Sequence, residues 1–289
     1  MKIRSIGRLV LAIAAFAVTG NICSVVTAQQ RCSPGTLMQW SRGNSFTGGP
    51  NLQEPIVTDR PDFTEASSTV GLGVAQIESG YTYTYDNDGT ISTRSHSYPE
   101  QLLRYGVLAE WLEFRFAWNL DDTDIGGVSA AGGENLYTGF KIGLTPQEGV
   151  LPEMAIVPQL TLPVGGDNDD AGEVFPGLNW LYSWEINDAV ATGGSTQFNH
   201  DADDTGEIFT EYAQSWTVAY SMTERMGAYT EWFAFFPHSA VERKPEHYFN
   251  GGLTRLFTDN VQFDVRAGVG LNDAAADYFA GSGISIRFP

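Results

Sequence analysis

Side chains that could perform acid–base, nucleophilic or metal chemistry do not form a catalytic motif in this sequence. No pair of histidines has the spacing of a zinc site, and no serine lies in a Gly-x-Ser-x-Gly context. We therefore predict no enzymatic activity, no catalytic residues, no metal site and no cofactor. Only a site assembled from separate strands would contradict this prediction. The histidines are His96, His200, His238 and His247. All four lie in or beside the longer loops of the fold that is predicted below.

Carboxylates cluster in three of the predicted loops. Oxygen-rich loops of this kind could bind Ca²⁺. None of the three has the residue spacing of an EF-hand, so we favour solvated loops over a calcium site. The acidic groups are Asp121, Asp122 and Asp124; Asp167, Asp169, Asp170 and Glu173; and Asp201, Asp203, Asp204 and Glu207.

A second set of charged residues lies within strand-like segments. In residues 112–119, for example, Phe114 and Trp118 alternate with Glu113 and Arg115. A period of two is typical of a β-strand, whose side chains point to opposite faces in turn. We take the charged members of such segments as candidate residues of a barrel lumen. They are Glu78, Arg104, Glu113, Arg115, Lys141, Glu185, Glu211, Asp264, Arg266 and Arg287, with Glu231 less certain because large aromatics flank it on both sides.

The alternating segments predict an all-β fold, an antiparallel transmembrane β-barrel of about twelve strands within residues 74–289. Every second connection is short and the others are longer and more polar, which is the arrangement of outer-membrane barrels. An even strand count places both termini on the periplasmic side. The predicted strands are 75–86, 97–107, 112–120, 135–144, 153–163, 175–186, 190–198, 208–221, 226–236, 246–257, 261–271 and 277–288, the last of which closes the barrel.

The two faces of these strands decide between a soluble and a membrane barrel. One face carries full charges, whereas the other carries aromatics such as Trp118, Trp180 and Tyr220. A charge that faces lipid near the bilayer midplane costs about 2–4 kcal/mol. The combined cost of several such charges would exceed the free energy of unfolding of an ordinary domain, about 5–15 kcal/mol. The charges are therefore expected to point into a wet interior, with the aromatics against lipid.

The N-terminus predicts export. Lys2, Arg4 and Arg8 precede an apolar stretch, 9–18, which is too short to span a bilayer as a helix. We expect residues 1–28 to be a cleaved signal peptide; a lipoprotein reading of Cys23 is weak. The remaining chain keeps Cys32 alone, so an intramolecular disulfide is excluded.

Charge excludes a further class of partner. The full chain has a formal net charge of −19. Without the three basic residues of the signal, 13 basic and 35 acidic residues remain, a net charge of −22. Phosphate binding requires clustered Lys and Arg, so we predict that nucleic acid is not a partner.

Residues 29–73 are rich in Ser, Gly, Pro and Thr and show little alternation. Asp59, Arg60, Asp62 and Glu65 lie just before the first predicted strand. We predict that this segment folds into the lumen as a plug and pairs with charges of the wall. A solvated periplasmic tail is the alternative, and the sequence leaves both open.

The chain also resembles known outer-membrane barrels. Many of them end in an aromatic residue that the barrel-assembly machinery reads; here Phe288 occupies that place, followed by Pro289. Residues 55–65 (PIVTDRPDFTE) resemble the hallmark of an outer-membrane transporter family that carries the description "MetA pathway of phenol degradation". Segments 102–106, 160–165 and 259–268 match the same family in order.

This resemblance implies a β-barrel in the outer membrane that lets small, hydrophobic or aromatic molecules pass. Its expected partners are outer-membrane lipid, the assembly machinery and a small-molecule solute. The nearly balanced inward charges predict a narrow pore without strong ion selectivity. The alternative is a structural or adhesive barrel whose lumen is occluded.

Overall fold

The structure is a computed structural model that describes residues 37, 54–164, 173–202, 207–240 and 243–289. The predicted signal peptide and both cysteines lie outside the described residues. So do Asp167, Asp169, Asp170, Asp203 and Asp204 of the acidic loops.

Fourteen antiparallel strands make up the described fold. The predicted strand positions agree with them closely, because alternation marks strands wherever one face is apolar and the other polar. The strands are β1 (Ala75–Asn87), β2 (Ser92–Gly106), β3 (Leu112–Trp118), β4 (Leu120–Ile125), β5 (Val128–Gly133), β6 (Leu136–Thr145), β7 (Glu153–Leu162), β8 (Phe175–Asn187), β9 (Val190–Ala202), β10 (Ile208–Thr223), β11 (Met226–His238), β12 (Glu246–Thr258), β13 (Val261–Gly270) and β14 (Tyr278–Phe288).

The sheet closes on itself because β1 pairs with both β2 and β14. Twelve strands form the closed wall, which confirms the predicted barrel. The two additional strands, β4 and β5, form a hairpin that continues β3 and leads back into β6. β4 pairs with the first residues of β2, at Thr93 to Ser97, which explains why β2 begins earlier than predicted. Residues 121–134, expected to be a loop, are mostly this hairpin.

The two ends of the barrel differ. Ala75, Phe288 and the short connections, such as 188–189 and 259–260, share one end, which we call the turn end. The longer connections and the β4–β5 hairpin share the opposite end, which we call the loop end. No described helix is long and apolar enough to cross a bilayer.

The distribution of side chains is the reverse of that in a soluble domain. Arg104, Arg115 and Lys141 are at most 1% exposed, whereas Trp180 and Phe249 are 43% and 47% exposed. The wall therefore presents rings and aliphatic groups outward and encloses charge. Such a barrel is suited to the outer membrane, with lipid against its outer face.

A pair of valines on β13 tests this assignment. Val265, near the middle of the strand, and Val269, near the loop end, both face outward. We expect Val265→Arg to lower the free energy of unfolding in lipid vesicles by about 2–4 kcal/mol, and Val269→Arg by about 0–1 kcal/mol. The check is denaturant titration in vesicles; equal losses at the two depths would refute a lipid-facing wall.

Candidate functional site

Residues 54–72 run inside the barrel, and we call this segment the plug. It starts at the turn end, where Ile56 donates its N–H to the Asp259 carbonyl at 2.7 Å and Arg287 donates to the Glu54 carbonyl at 2.8 Å. It returns to the turn end, where Leu72 forms a parallel bridge with Gly106. A Cβ on Gly106 would lie 1.6 Å from the Gly71 carbonyl oxygen, so this close approach requires glycine.

Asp59 is the most strongly engaged side chain of the plug. Its carboxylate lies 2.8 Å from Lys141 Nζ and 3.3 Å from Arg104 Nη1, and it also pairs with Arg115 Nη1. Burial by itself would raise the pKa of Asp59, but the charges of these three cations outweigh it and hold the pKa well below its usual range. Asp59 is thus an anion fixed among three wall cations.

Two wall carboxylates complete this cluster. Arg104 donates from Nε to Glu113 at 2.8 Å and from Nη1 to Glu78 at 3.2 Å. Glu78 also accepts the backbone N–H of Asp59, and Glu113 accepts that of Val70. The same carboxylates therefore neutralise wall cations and satisfy plug backbone, which otherwise would be buried without partners.

Arg60, the next residue of the plug, forms a second cluster with other residues of the wall. Its Nη1 pairs with Glu100 at 2.5 Å, and its Nη2 lies 3.5 Å from Asp264. The guanidinium rests on Gly80 and Gly283, which pair with each other between β1 and β14. A Cβ at either glycine would lie 2.2–2.3 Å from Arg60 atoms, so only residues without side chains leave room for the guanidinium. We call this place on the two glycines the seat of Arg60.

The tip of the plug, Asp62 to Thr64, crosses to β10 and β11. Glu231 accepts the backbone N–H of Phe63 at 2.8 Å and of Thr64 at 2.7 Å. Asn250 donates to the same carboxylate at 2.7 Å. Glu231, uncertain from the sequence, is buried and inward-facing, because it caps the turn of the plug between its aromatic neighbours.

Aromatic residues surround Phe63. Its ring stacks on Phe233 with centroids 4.8 Å apart, and Phe233 stacks on Tyr248 at 4.9 Å. Phe235 contacts Phe63 edge-on, and Phe279 packs against the same group. This aromatic cluster lies on the inner wall, beside the plug and toward the loop end.

The returning limb of the plug is also bound to the wall, with Lys141 donating to the Ala66 carbonyl at 2.7 Å and Arg104 donating to the Ser68 carbonyl at 3.1 Å. Glu65 pairs with Arg115 Nη2 at 3.1 Å. Ser67 donates to Glu153 at 2.7 Å, and Thr69 donates to the Glu110 carbonyl at 2.6 Å. These contacts join the limb to β2, β3, β6, β7 and the connection between β2 and β3.

The structure brings most of the predicted lumen residues together. The two ionic clusters and the plug that joins them contain Asp59, Arg60, Glu65, Glu78, Arg104, Glu113, Arg115, Lys141 and Asp264. Arg266 lies beside them, but it donates to the Pro61 carbonyl at 3.0 Å and not to a plug carboxylate. Asp62 lies near Thr217 and Glu231 at the tip.

Three predicted lumen residues and the C-terminal aromatic lie away from these clusters. Glu185 is exposed at the turn end, Glu211 lies toward the loop end, and Arg287 binds Asn260 Oδ1 at 2.7 Å at the turn end. Phe288 faces outward at the turn end and is 50% exposed. Two charged lumen residues, Glu100 and Glu153, were missed. Glu100 lies within the predicted strand 97–107 and shares the parity of Arg104, so the same alternation marks it as inward-facing.

The described residues contain no group of three or more His, Cys, Asp or Glu side chains arranged to hold a metal ion. His96, one of the four histidines, bonds Tyr81 on the outer face through Nδ1 at 2.8 Å. The predictions of no catalytic residues and no cofactor stay predictions.

Comparison with known proteins gives one family and a shared fold. Residues 58–288 match the family model described as "Putative MetA-pathway of phenol degradation". An outer membrane channel from Pseudomonas putida F1 superposes with a TM-score of 0.61 at 13% identity, over 79% of this chain and 99% of that one. The translocator domain of the autotransporter NalP from Neisseria meningitidis gives 0.50 at 10% identity, over 75% and 89%. No curated protein matches the sequence.

The Asp59 cluster predicts a large and specific loss of stability. Asp59→Asn removes a buried carboxylate that contacts all three cations, so we expect the free energy of unfolding to fall by about 3–5 kcal/mol. Asp259→Asn is the matched control, because Asp259 forms an exposed pair with Arg225 at 4.0 Å; its loss is about 0–1 kcal/mol. Denaturant titration of both variants in vesicles is the check, and similar losses would contradict the role given to Asp59.

Proposed function

This chain belongs to the family of the MetA pathway of phenol degradation, and from that membership and the lumen geometry we propose that it is an outer-membrane channel. Small molecules cross it by diffusion. The similar structure from Pseudomonas putida F1 bears the name of an outer membrane channel, which supports the proposal. In the outer membrane, the turn end of the barrel faces the periplasm and the loop end faces the outside of the cell.

The observation that carries the proposal is the way the plug is attached. Apart from hydrogen bonds at its two ends, and those from Arg60 and Thr69 to the carbonyls of Ser282 and Glu110, its hydrogen bonds with the wall use wall side chains. Examples are Glu78, Glu113 and Glu231. The plug adds no strand to the sheet. The plug can therefore shift without breaking the ladder that closes the barrel, and a shift would open a path through the lumen.

The aromatic cluster supports a class of solute. Phe63 occupies a slot formed by Phe233, Phe235, Tyr248 and Phe279, where stacked and edge-on rings pack. A small hydrophobic or aromatic solute finds there the same favourable ring contacts. We propose that such molecules use this wall when the plug moves.

Charge along the lumen supports weak ion selectivity. The clusters around Asp59 and Arg60 contain both signs in close pairs, so neither sign dominates the passage. Outer-membrane lipid surrounds the barrel. We propose that the assembly machinery reads Phe288, which is exposed on the last strand at the turn end.

Single-channel conductance tests the plug. Arg60→Ala removes the ties to Glu100 and Asp264, so we expect mean conductance in planar bilayers to rise by about twofold or more. Arg225→Ala, at the exposed turn-end pair with Asp259, should leave conductance unchanged. If neither the parent protein nor the Arg60→Ala variant conducts, the channel proposal is wrong. The alternative, a structural barrel with an occluded lumen, then holds.

Solute flux into liposomes tests the aromatic route. Phe63→Ala vacates the slot, so influx of benzenesulfonate should rise roughly two- to tenfold. This factor corresponds to the interaction free energy of one aromatic pair, about 0.5–1.5 kcal/mol. Influx of methanesulfonate should rise less. Phe249→Ala, on the outer face, is the control and should change neither. An equal gain for both solutes would mean a wider pore without an aromatic route.

A further inference from the structure

Arg255 is a charged residue on the lipid-facing side of the wall. It lies on β12 in the same outward row as Leu253 and Phe257, which are 46% and 57% exposed. The residues opposite it on the adjoining strands are Met226 of β11 and Phe263 of β13. The outer face therefore surrounds this guanidinium with apolar side chains.

No carboxylate among the described residues lies within ion-pair distance of Arg255. Its Nη1 donates to the Met226 sulfur at 3.9 Å, and a thioether is a weak acceptor. The inward cations differ, because Arg104, Arg115 and Lys141 each have a carboxylate within 3.1 Å. The counter-charge of Arg255 must therefore come from outside the described chain.

The position of Arg255 along its strand places it near the edge of the membrane. β12 has 13 residues and, at a rise of about 3.3 Å per residue and a tilt of about 40°, spans roughly 30 Å along the membrane normal. A centred apolar band about 25 Å tall would put the Cα of Arg255, three residues before the end of β12, roughly 5 Å inside the band. A long arginine side chain reaches from this depth to the level of the lipid phosphates.

The outer face beside Arg255, on the midplane side, is shallow. Gly251, Ala267 and Ala280 pair across β12, β13 and β14, and strand alternation places all three outward. Phe249 and Leu253 flank Gly251 in the outward row of β12. Small residues let an apolar partner approach the backbone closely, so this furrow suits an acyl chain, which a free phosphate ion does not have.

We propose that Arg255 binds the phosphate of an anionic phospholipid in the leaflet at the turn end. Its planar guanidinium donates to the phosphate oxygens, a pairing for which its geometry is well suited, and an acyl chain packs in the furrow at Gly251. In the orientation proposed above, this leaflet is the periplasmic one. The inference goes beyond passage through the lumen, because the site lies on the outer face and does not involve the plug.

Arg225 provides a matched control at the same end of the barrel. Its carbonyl accepts the N–H of Leu256 at 2.9 Å, so its turn adjoins the end of β12. Its Nη1 lies 4.0 Å from Asp259, and both side chains are more than half exposed. Arg225 thus has the same charge as Arg255, but the protein itself provides its carboxylate.

Native mass spectrometry of the mature protein in detergent micelles tests the proposal, with dioleoyl phosphatidylglycerol and the zwitterionic dioleoyl phosphatidylcholine as probes. We expect the first phosphatidylglycerol to bind about fivefold more tightly than the first phosphatidylcholine, the attraction of one arginine near a lipid surface. Arg255→Gln should abolish this preference, Arg255→Lys should keep most of it, and Arg225→Gln should leave it unchanged. Heat-modifiable migration on gels checks that each variant is folded.

Equal affinities of the parent protein for the two lipids would overturn the proposal. An equal loss of preference in Arg255→Gln and Arg225→Gln would also overturn it, since that result describes attraction to net charge alone. Displacement of phosphatidylglycerol by millimolar inorganic phosphate would contradict the lipid as occupant, because the phosphate group would then suffice without an acyl chain.

Discussion

The attraction between Asp59 and three buried cations is the interaction on which the lumen depends. Lipid outside the barrel forces Arg104, Arg115 and Lys141 inward, where they are almost completely removed from water. The wall supplies Glu78 and Glu113 against these three charges, and the plug supplies Asp59, which contacts all three, and Glu65, which pairs with Arg115. The plug is thus part of the charge balance of the barrel.

A second constraint is the backbone of the plug, which forms no strand or helix. Its buried N–H groups need acceptors, and inward carboxylates of the wall provide them: Glu78 for Asp59, Glu231 for Phe63 and Thr64, and Glu113 for Val70. Each of these three acids therefore has two roles: it pairs with a cation or polar side chain, and it accepts hydrogen bonds from the plug's main chain. This explains why such large charged side chains are tolerated at nearly zero exposure.

The barrel was largely predictable from the sequence, and the plug's path was not. Alternation is a local signal, so it located the strands and assigned Glu113, Arg115 and Asp264 to the interior. Pairings such as Asp59 with Lys141, 82 residues apart, depend on closure of the whole sheet, and no local pattern contains them. The β4–β5 hairpin was missed because its acidic and small residues lack an apolar face. Glu231 was ambiguous because the aromatics beside it lie on both faces, some against lipid and some in the lumen cluster.

The seat of Arg60 has a consequence for the order of biogenesis. Gly80 belongs to the first strand and Gly283 to the last, and they become neighbours only when these two strands join. The guanidinium rests on both glycines, so its resting place does not exist on an open, unfinished sheet. Docking of the N-terminal segment is therefore a late step, and the residues synthesised before the first strand take their final position after the last strand has been added.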